Sequence, residues 1–245
     1  MTAPEFVRTS RWLGRRYLFR IERFRVSSYA VALYVGFVVG VWCGAAVAGL
    51  DFGRFAAASL VLLIPALIGG RLWYALTHRG SGRSGGSGLY GGLVLSFAVS
   101  WPVVHVAGLD FWRYWDEAAV VLLVGMVCTR IGCLMTGCCS GRPTRGPFGV
   151  WLPDHTGTWR RRYPTQLLEA LWAAAILAVG VALYSPSSPA GTLFLGAASA
   201  YGFGRVGLEL LRDDAEILSR ATRINLGFSL LLAVGSCVSA LCVFP

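Results

Sequence analysis

The 245-residue chain is too apolar for a water-soluble protein, because 56% of its residues are hydrophobic and only 14% are charged. Its 22 basic residues, all arginine, outnumber 12 acidic residues and give a net charge of +10. The arginines are dispersed among apolar segments and form no recognisable nucleic-acid module. We therefore expect no nucleic-acid partner and favour anionic lipid.

The leading segment, residues 1–27, carries seven arginines interleaved with apolar residues such as Trp12, Tyr17 and Phe24. This pattern suits a basic, partly amphipathic helix on an anionic membrane surface. A plain topology anchor explains it equally well, and the sequence leaves both interpretations open.

Apolar segments of roughly 20 residues then recur along the chain, each long enough to cross a hydrocarbon core as a helix. They predict spans at Ser28–Leu50, Phe55–Leu76, Leu89–Ala107, Ala118–Met135, Gln166–Tyr184, Gly191–Leu211 and Asn225–Phe244. The predicted fold is all-α: a polytopic membrane bundle of about seven transmembrane helices over residues 28–245. A short head or arm loop separates spans four and five.

Charged residues inside the spans are the most informative feature, because an ionisable side chain in hydrocarbon costs several kcal/mol unless it is paired or functional. These residues are Arg71, Arg130, Glu169, Arg205 and Glu209. Even-numbered spans return to the side where the chain began, and odd-numbered spans leave from it. We therefore expect all five charges in the N-terminal half of the bilayer.

The sixth span carries a polar stripe of Tyr201, Arg205, Glu209 and Arg212, whose spacing places them on one helical face. One interpretation is structural: Arg205 and Glu209 pair within the helix and with Arg71 or Glu169. The other is anion binding, since three intramembrane guanidiniums outnumber two carboxylates. A phospholipid phosphate is the anion expected there, and arginine binds phosphate through a bidentate fork.

The seven cysteines fall into two groups. Four lie in predicted spans, where cysteine packs as a small apolar residue: Cys43, Cys128, Cys237 and Cys242. The other three, Cys133, Cys138 and Cys139, crowd a glycine-rich stretch at the end of the fourth span. Zinc needs about four ligands, and no histidine follows until His155. We expect neither a metal nor a cofactor.

Five sequence blocks resemble the prolipoprotein diacylglyceryl transferase family. The main one runs from Arg130 to Cys139 and is similar to the family signature G-R-x-G-N-F-x-N-G-E, with matches at Arg130, Gly132 and Gly137. The others follow the family's order: Gly70-Arg71-Leu72, Tyr90-Gly91-Gly92-Leu93, Pro164-Thr165-Gln166 with Glu169, and Tyr201, Arg205, Glu209 and Arg212. Together the blocks span Gly70 to Asp213.

The resemblance implies a bacterial inner-membrane transferase. Such an enzyme moves a diacylglyceryl group from phosphatidylglycerol, or a related anionic phospholipid, to a cysteine thiol of a protein or peptide acceptor. It implies catalytic roles for Tyr90, Arg130 and Arg205, the arginines holding the phosphate. Substrate contacts would fall to Arg71, Gly91, Gly92, Gly132, Gly137, Cys138, Gln166, Glu169, Tyr201, Glu209 and Arg212. The glycines fit close lipid approach and simple helix packing equally well.

Departures from the family pattern favour an alternative. The family's two histidines are Tyr90 and Tyr163 here, and its signature asparagine and glutamate are Cys133 and Cys138. A phenol is a weak base at neutral pH unless cations depress its pKa. The alternative is therefore a phospholipid-binding membrane paralogue that is non-catalytic or has a different acceptor. The sequence does not indicate an oligomeric state.

The orientation expected from arginine placement also departs from the family, whose N-terminus and catalytic face lie outside the cytoplasm. On the N-terminal side lie the seven arginines of the leading segment and Arg79, Arg83, Arg142, Arg145, Arg160, Arg161, Arg162, Arg212, Arg220 and Arg223. The opposite side has only Arg54 and Arg113. The positive-inside rule predicts a cytoplasmic N-terminus and a cytoplasm-facing site.

Overall fold

The computed structural model describes residues 13–21, 24–47, 49–77, 88–154, 156–212 and 220–243. Seven helices dominate it: α1 (Ser28–Ala45), α2 (Phe52–Thr77), α3 (Leu89–Val106), α4 (Phe111–Thr136), α5 (Thr165–Leu183), α6 (Thr192–Leu210) and α7 (Arg220–Val243). Two antiparallel hairpins complete it: β1 (Tyr17–Ile21) with β2 (Phe24–Ser27), and β3 (Val150–Pro153) with β4 (Trp159–Arg162).

The all-α membrane bundle is confirmed. Within the described ranges, six helices are long and apolar enough to cross a membrane, and α6 is the helix outside that set. The difference has a simple cause, because α6 carries Arg205 and Glu209 among its apolar residues. The protein is a multi-pass membrane protein.

The helix α4 lies at the centre of the bundle and contacts α1, α5 and α6. Three glycines of α1, Gly36, Gly40 and Gly44, face it at four-residue intervals. A Cβ on any of them would lie within 2.9 Å of an atom of α4. Small residues at this spacing let two helices approach closely, which is how packing in lipid gains dispersion energy.

The pair α2 and α3 is held by a similar contact. A Cβ added at Gly91 would lie 2.2 Å from the carbonyl oxygen of Gly69, and one at Gly69 would lie 2.2 Å from that of Gly91. A Cβ at Gly92 would meet the carbonyl oxygen of Ala66 at 2.8 Å. Gly91 and Gly92 therefore have a packing role in the structure, one of the two interpretations open from sequence.

Gly91→Ala is expected to destabilise the protein by about 1–3 kcal/mol, because the methyl group would press against backbone that has no free rotation to escape it. Thermal unfolding of the detergent-solubilised protein measures the effect. The matched control is Gly196→Ala on α6, where an added Cβ meets nothing within 4 Å. Equal unfolding temperatures for the two variants would contradict the close contact.

The first hairpin corrects one sequence interpretation. The amphipathic helix predicted for the leading segment is wrong for residues 17–21 and 24–27, which form β1 and β2. Aromatic and β-branched residues favour strands when they can pair locally, and Phe19 pairs with Val26 here. Residues 1–12 lie outside the described part of the chain, so the surface helix and the division at residue 27 stay predictions.

The fourth span also starts earlier than predicted, at Phe111 rather than Ala118. The added turns contain Asp116 and Glu117, both fully buried. The Asp116 carboxylate accepts the backbone N–H groups of Gly191 at 2.8 Å and Phe194 at 3.0 Å. It thereby caps the N-terminus of α6, where negative charge is favourable. The predicted head or arm loop contains β3 and β4, between α4 and α5.

Candidate functional site

A buried carboxylate on α5, Glu169, organises the polar centre of the bundle. Its Oε1 accepts hydrogen bonds from Arg130 at 2.5 Å and from the Tyr201 hydroxyl at 2.9 Å. Its Oε2 accepts a hydrogen bond from Arg205 at 2.9 Å. The side chain of Glu169 is only 3% exposed. One carboxylate therefore joins α4, α5 and α6 through charge-assisted bonds, which strengthen where water is excluded.

The centre continues from α6 to α7 through a second carboxylate. Glu209 accepts from Arg205 at 2.5 Å, and from the side-chain amide of Asn225 at 3.1 Å. The Asn225 amide oxygen in turn accepts from the indole N–H of Trp73 at 3.2 Å. The ion pair of Arg205 and Glu209, one of the interpretations open from sequence, is present, and so is the pairing of Arg205 with Glu169.

The centre contains fewer arginines than the sequence predicted, because Arg71 does not take part in it. Arg71, which lies at the same predicted depth, is exposed on α2 and makes none of the described contacts of the Glu169 centre. Arg130 and Arg205 are matched by two carboxylates, so the excess positive charge comes from Arg212, which acts electrostatically on Glu169. The position of Arg71 therefore does not support a phosphate site formed by Arg71, Arg130 and Arg205 together.

Arg130 retains unused hydrogen-bonding capacity. It uses one terminal nitrogen for Glu169, while its Nε is buried and has no partner among the described residues. Buried N–H groups without an acceptor cost roughly 1–3 kcal/mol and call for an explanation. An anionic ligand beside Arg130 would satisfy this donor.

The two tyrosines at the family's histidine positions have different surroundings. The Tyr90 hydroxyl forms a short hydrogen bond with the Ser229 hydroxyl on α7, and its ring packs against Trp73 and Phe228. Ser229 also donates to the backbone oxygen of Asn225 at 2.7 Å. Tyr90 is thereby linked to the helix that reaches Glu209. Tyr163 is half-buried in the loop before α5.

An apolar cavity of about 60 Å³ opens beside the polar centre, between α3, α4, α6 and α7. Its lining includes Leu93, Met126 and Leu232, with Tyr201 at the polar side. Tyr201 thus contacts the cavity with its ring and Glu169 with its hydroxyl. The arrangement places a small apolar space next to buried charge.

The loop after α4 is fastened to the start of α5. The Gln166 amide donates to the Cys138 carbonyl oxygen at 2.9 Å, and the Thr165 hydroxyl donates to that of Cys139 at 3.0 Å. The pKa of the Cys139 thiol is held well below its usual value, first by hydrogen bonds with Cys133 and Cys138 and further by Arg212 and Arg130. This loop carries the family signature residues into contact with α5.

The two glycines of the family signature, Gly132 and Gly137, also pack closely against neighbouring residues. A Cβ at Gly132 would lie 2.7 Å from Ala32 of α1, and one at Gly137 would lie 2.5 Å from the carbonyl oxygen of Asp154. Gly137 ends α4 in the left-handed conformation, with φ of 72°. Packing therefore accounts for both positions, and direct contact with lipid stays a prediction.

Three residues of the centre were not predicted from the sequence: Trp73, Asn225 and Ser229. Asn225 and Ser229 lie one turn apart near the start of α7, on the face that meets Glu209 and Tyr90. A polar pair at i and i+4 within an apolar segment was the available signal.

The fold and site together define a class: a multi-pass membrane protein with a buried centre of two arginines and two glutamates beside an apolar cavity. The particular family follows from comparison with known proteins. The model of the prolipoprotein diacylglyceryl transferase family matches residues 16–244. The chain belongs to this family.

Several relatives are named phosphatidylglycerol–prolipoprotein diacylglyceryl transferase. The protein of Bacillus licheniformis is 26% identical in an alignment 248 positions long. The alignment covers 92% of this chain and 90% of the relative. That of Bacillus velezensis is 27% identical and covers 88% and 87%. That of Solidesulfovibrio magneticus is 31% identical over 163 residues, and the match spans 62% of each chain. The chain is thus a multi-pass bacterial membrane protein of a transferase family.

Proposed function

We propose that this protein transfers a diacylglyceryl group from phosphatidylglycerol, or a related anionic phospholipid, to a cysteine thiol of a protein or peptide acceptor. The observation that carries the proposal is the state of Arg130. Its guanidinium is fixed by Glu169 at one nitrogen, while its buried Nε has no partner among the described residues. A guanidinium held in this way is preorganised to bind phosphate.

The surroundings of Arg130 fit a phospholipid better than a free anion. The apolar cavity between α3, α4, α6 and α7 lies on the other side of Tyr201, whose hydroxyl bonds to Glu169. Glycerol carbons in that space would bring the phosphate to the polar centre. The relatives named above carry phosphatidylglycerol and prolipoprotein in their names, which supports the same substrates here.

The chemistry that this arrangement serves is a displacement at carbon. The acceptor sulfur forms a C–S bond with the glycerol carbon next to the phosphate, and the C–O bond to that phosphate breaks. Negative charge then increases on the departing glycerol phosphate, where Arg130 would offset it. The thiol proton is released to the product or to water, since the second pKa of a phosphate monoester is about 6. A thiol has a reference pKa near 8.5, so it needs less help from a base than a hydroxyl does.

Lipidation of a cysteine-containing peptide tests the proposal directly. Membranes that contain the protein, supplied with phosphatidylglycerol, should add one diacylglyceryl mass to the peptide. A serine-for-cysteine peptide should gain none. Unmodified peptide, with phosphatidylglycerol still bound to the protein, would instead support the second candidate.

The second candidate is a phospholipid-binding paralogue that is non-catalytic or has an altered acceptor. One observation favours it: the position of the family's histidine is held by Tyr90, a phenol that donates its hydrogen to Ser229 within an aromatic cluster and is a poor base. The phosphate-binding part of the site could then persist without transfer.

Tyr90→Phe is expected to lower the transfer rate roughly fivefold to tenfold, because it removes a buried hydrogen bond that links α3 to the Asn225 end of α7. Tyr163→Phe, in the half-buried loop, is expected to have little effect. Initial rates of peptide lipidation compare the two variants. Equal tolerance at both positions would reduce Tyr90 to a packing residue.

The orientation proposed from the arginine distribution is a cytoplasmic N-terminus and an external C-terminus, in the bacterial inner membrane. The site would then face the cytoplasm, and an exported precursor would be an unsuitable acceptor. Alkaline phosphatase fused after Pro245 should be active, because that enzyme works only outside the cytoplasm. Fluorescence from a cytoplasm-only reporter at the same position would restore the family's usual orientation.

A further inference from the structure

Three thiols form a compact cluster that the proposed transfer does not use. Cys133 lies on the last turns of α4, and Cys138 and Cys139 lie in the turn that follows. Their Sγ atoms are all within 4.8 Å of one another, and all three cysteines are free. Cys133 is buried, while the other two are half-buried. A ligand that reaches the turn could therefore contact all three sulfurs.

The backbone holds this cluster in an unusual conformation. Cys139 has φ of 56° and is the non-glycine residue with positive φ in the described part of the chain. Such a conformation costs on the order of 1–3 kcal/mol and persists only where its surroundings enforce it. Here the enforcing contacts come from α5, through Thr165 on the Cys139 carbonyl and Gln166 on the Cys138 carbonyl. The sulfurs are thus positioned before any ligand arrives.

Positive charge and a hydroxyl donor surround the sulfurs. Arg130 and Arg212 both act electrostatically on Cys139. The Thr136 hydroxyl lies 3.2 Å from the Cys138 Sγ and can donate to it. Hydrogen bonds and cations around a thiolate are what tune and orient metal ligands in proteins. A hydroxyl donor therefore contacts the cluster directly, and two cations act on it from nearby.

The spacing suits a thiophilic metal ion. With every S–S separation at or below 4.8 Å, some point lies within about 2.8 Å of all three sulfurs, and metal–thiolate bonds are about 2.3 Å long. Contraction by about half an ångström per sulfur would complete the bonds, which small side-chain rotations can supply.

Three sulfur ligands favour Cu(I) over zinc. Among the residues that the structure describes, this group of possible metal ligands contains three cysteines and no fourth member. Structural zinc almost always takes four ligands, which was the reason for expecting no metal from sequence. Soft thiolates also select Cu(I), which is stable with three sulfur ligands. Three thiolates and one Cu(I) carry a net charge of −2, next to the cations Arg130 and Arg212.

We propose that Cys133, Cys138 and Cys139 form a three-thiolate binding site for Cu(I). Binding releases the thiol protons that remain and changes no oxidation state. The proposal is independent of the transfer reaction, so either can fail while the other holds.

The test uses the full-length protein, reduced and purified in detergent without oxygen. Cu(I) is added in the presence of a chromophoric Cu(I) chelator, and X-ray absorption at the copper edge reports the ligands. The wild type should hold one copper per chain with three sulfur neighbours. Cys139→Ser and Cys138→Ser should each weaken copper binding by more than roughly tenfold. Loss of a residue that only hydrogen-bonds to a metal ligand already weakens binding by that much, and these variants remove a ligand itself. Cys128→Ser, on α4 away from the cluster, should bind as the wild type does.

Several outcomes would overturn the site. They are copper coordinated by fewer than three sulfurs, equal affinity in wild type and the two cluster variants, or retention of Zn(II) with no retention of Cu(I). Circular dichroism checks that each variant is folded. Where a variant does not fold, the stoichiometry and sulfur coordination of the wild type decide the question alone.

Discussion

Arg130→Ala is expected to lower the rate of diacylglyceryl transfer by roughly a hundredfold or more. Loss of one preorganised charge-assisted contact at a transition state costs about 3 kcal/mol. The structure points to Arg130 first, because its buried Nε lacks a partner among the described residues while one terminal nitrogen is anchored on Glu169. Initial rates of peptide lipidation at saturating lipid measure the effect.

The controls separate charge from geometry. Arg145→Ala removes an exposed arginine from the loop between α4 and α5 and should leave the rate unchanged. Arg130→Lys keeps the charge but loses the planar fork, so it should recover only part of the activity. Wild-type turnover in Arg130→Ala would refute the assigned role.

Arg205→Ala is also expected to remove most of the activity, by a different route. Both terminal nitrogens of Arg205 are bonded to carboxylates, Glu169 and Glu209. Its loss would release Glu169 from one side and would destabilise the fold as well. A lower unfolding temperature should therefore accompany the loss of activity in Arg205→Ala and be less marked in Arg130→Ala, which removes one described ion pair rather than two.

Glu169→Ala is expected to destabilise the folded protein by about 3–5 kcal/mol, the usual result when one partner of a buried ion pair is removed. The variant leaves Arg130 and Arg205 with no carboxylate between them, at positions where their side chains are only 12% and 7% exposed. Equilibrium unfolding in mixed detergent and denaturant measures the change. Leu171→Ala, on the lipid-facing side of the same helix, is the control.

A double variant tests whether the loss of stability comes from a buried charge without a partner or from lost packing. Glu169→Gln alone should be strongly destabilising, whereas Glu169→Gln combined with Arg130→Gln removes a cation and an anion together, leaves Arg205 paired with Glu209, and should recover part of the stability. Additive losses in the two single variants would contradict the ion-pair explanation.

That four of the charges lie at one level of the bundle was predictable, but the direction of each side chain was not. Counting spans brought Arg130, Glu169, Arg205 and Glu209 to one level, and the structure joins all four. The same count placed Arg71 at that level, yet its side chain is exposed on α2. Span number fixes position along the membrane normal, whereas rotation about the helix axis depends on packing that hydropathy does not encode.

Two other differences between sequence and structure have local causes. They are the start of α4 and the strands in the leading segment. The polar and aromatic residues from Phe111 to Glu117 lowered the apparent hydropathy of α4, so its start was placed too late and Asp116 was missed. Asp116 can be buried because it caps α6, which is a tertiary contact. A helix was predicted for residues 17–21 and 24–27 because arginines and aromatic residues interleave there, whereas the cross-strand partners make them strands.

The polar character of α6 has a consequence for how the protein is made. An arginine at the centre of an isolated helix raises its insertion free energy by about 2.5–3.5 kcal/mol, and α6 is the helix outside the set apolar enough to cross alone. Its partner Glu169 is synthesised earlier, on α5. During biogenesis α6 therefore enters the lipid favourably beside α4 and α5, which are synthesised earlier and carry Arg130 and Glu169, so that two cations and two carboxylates balance as the future site is assembled.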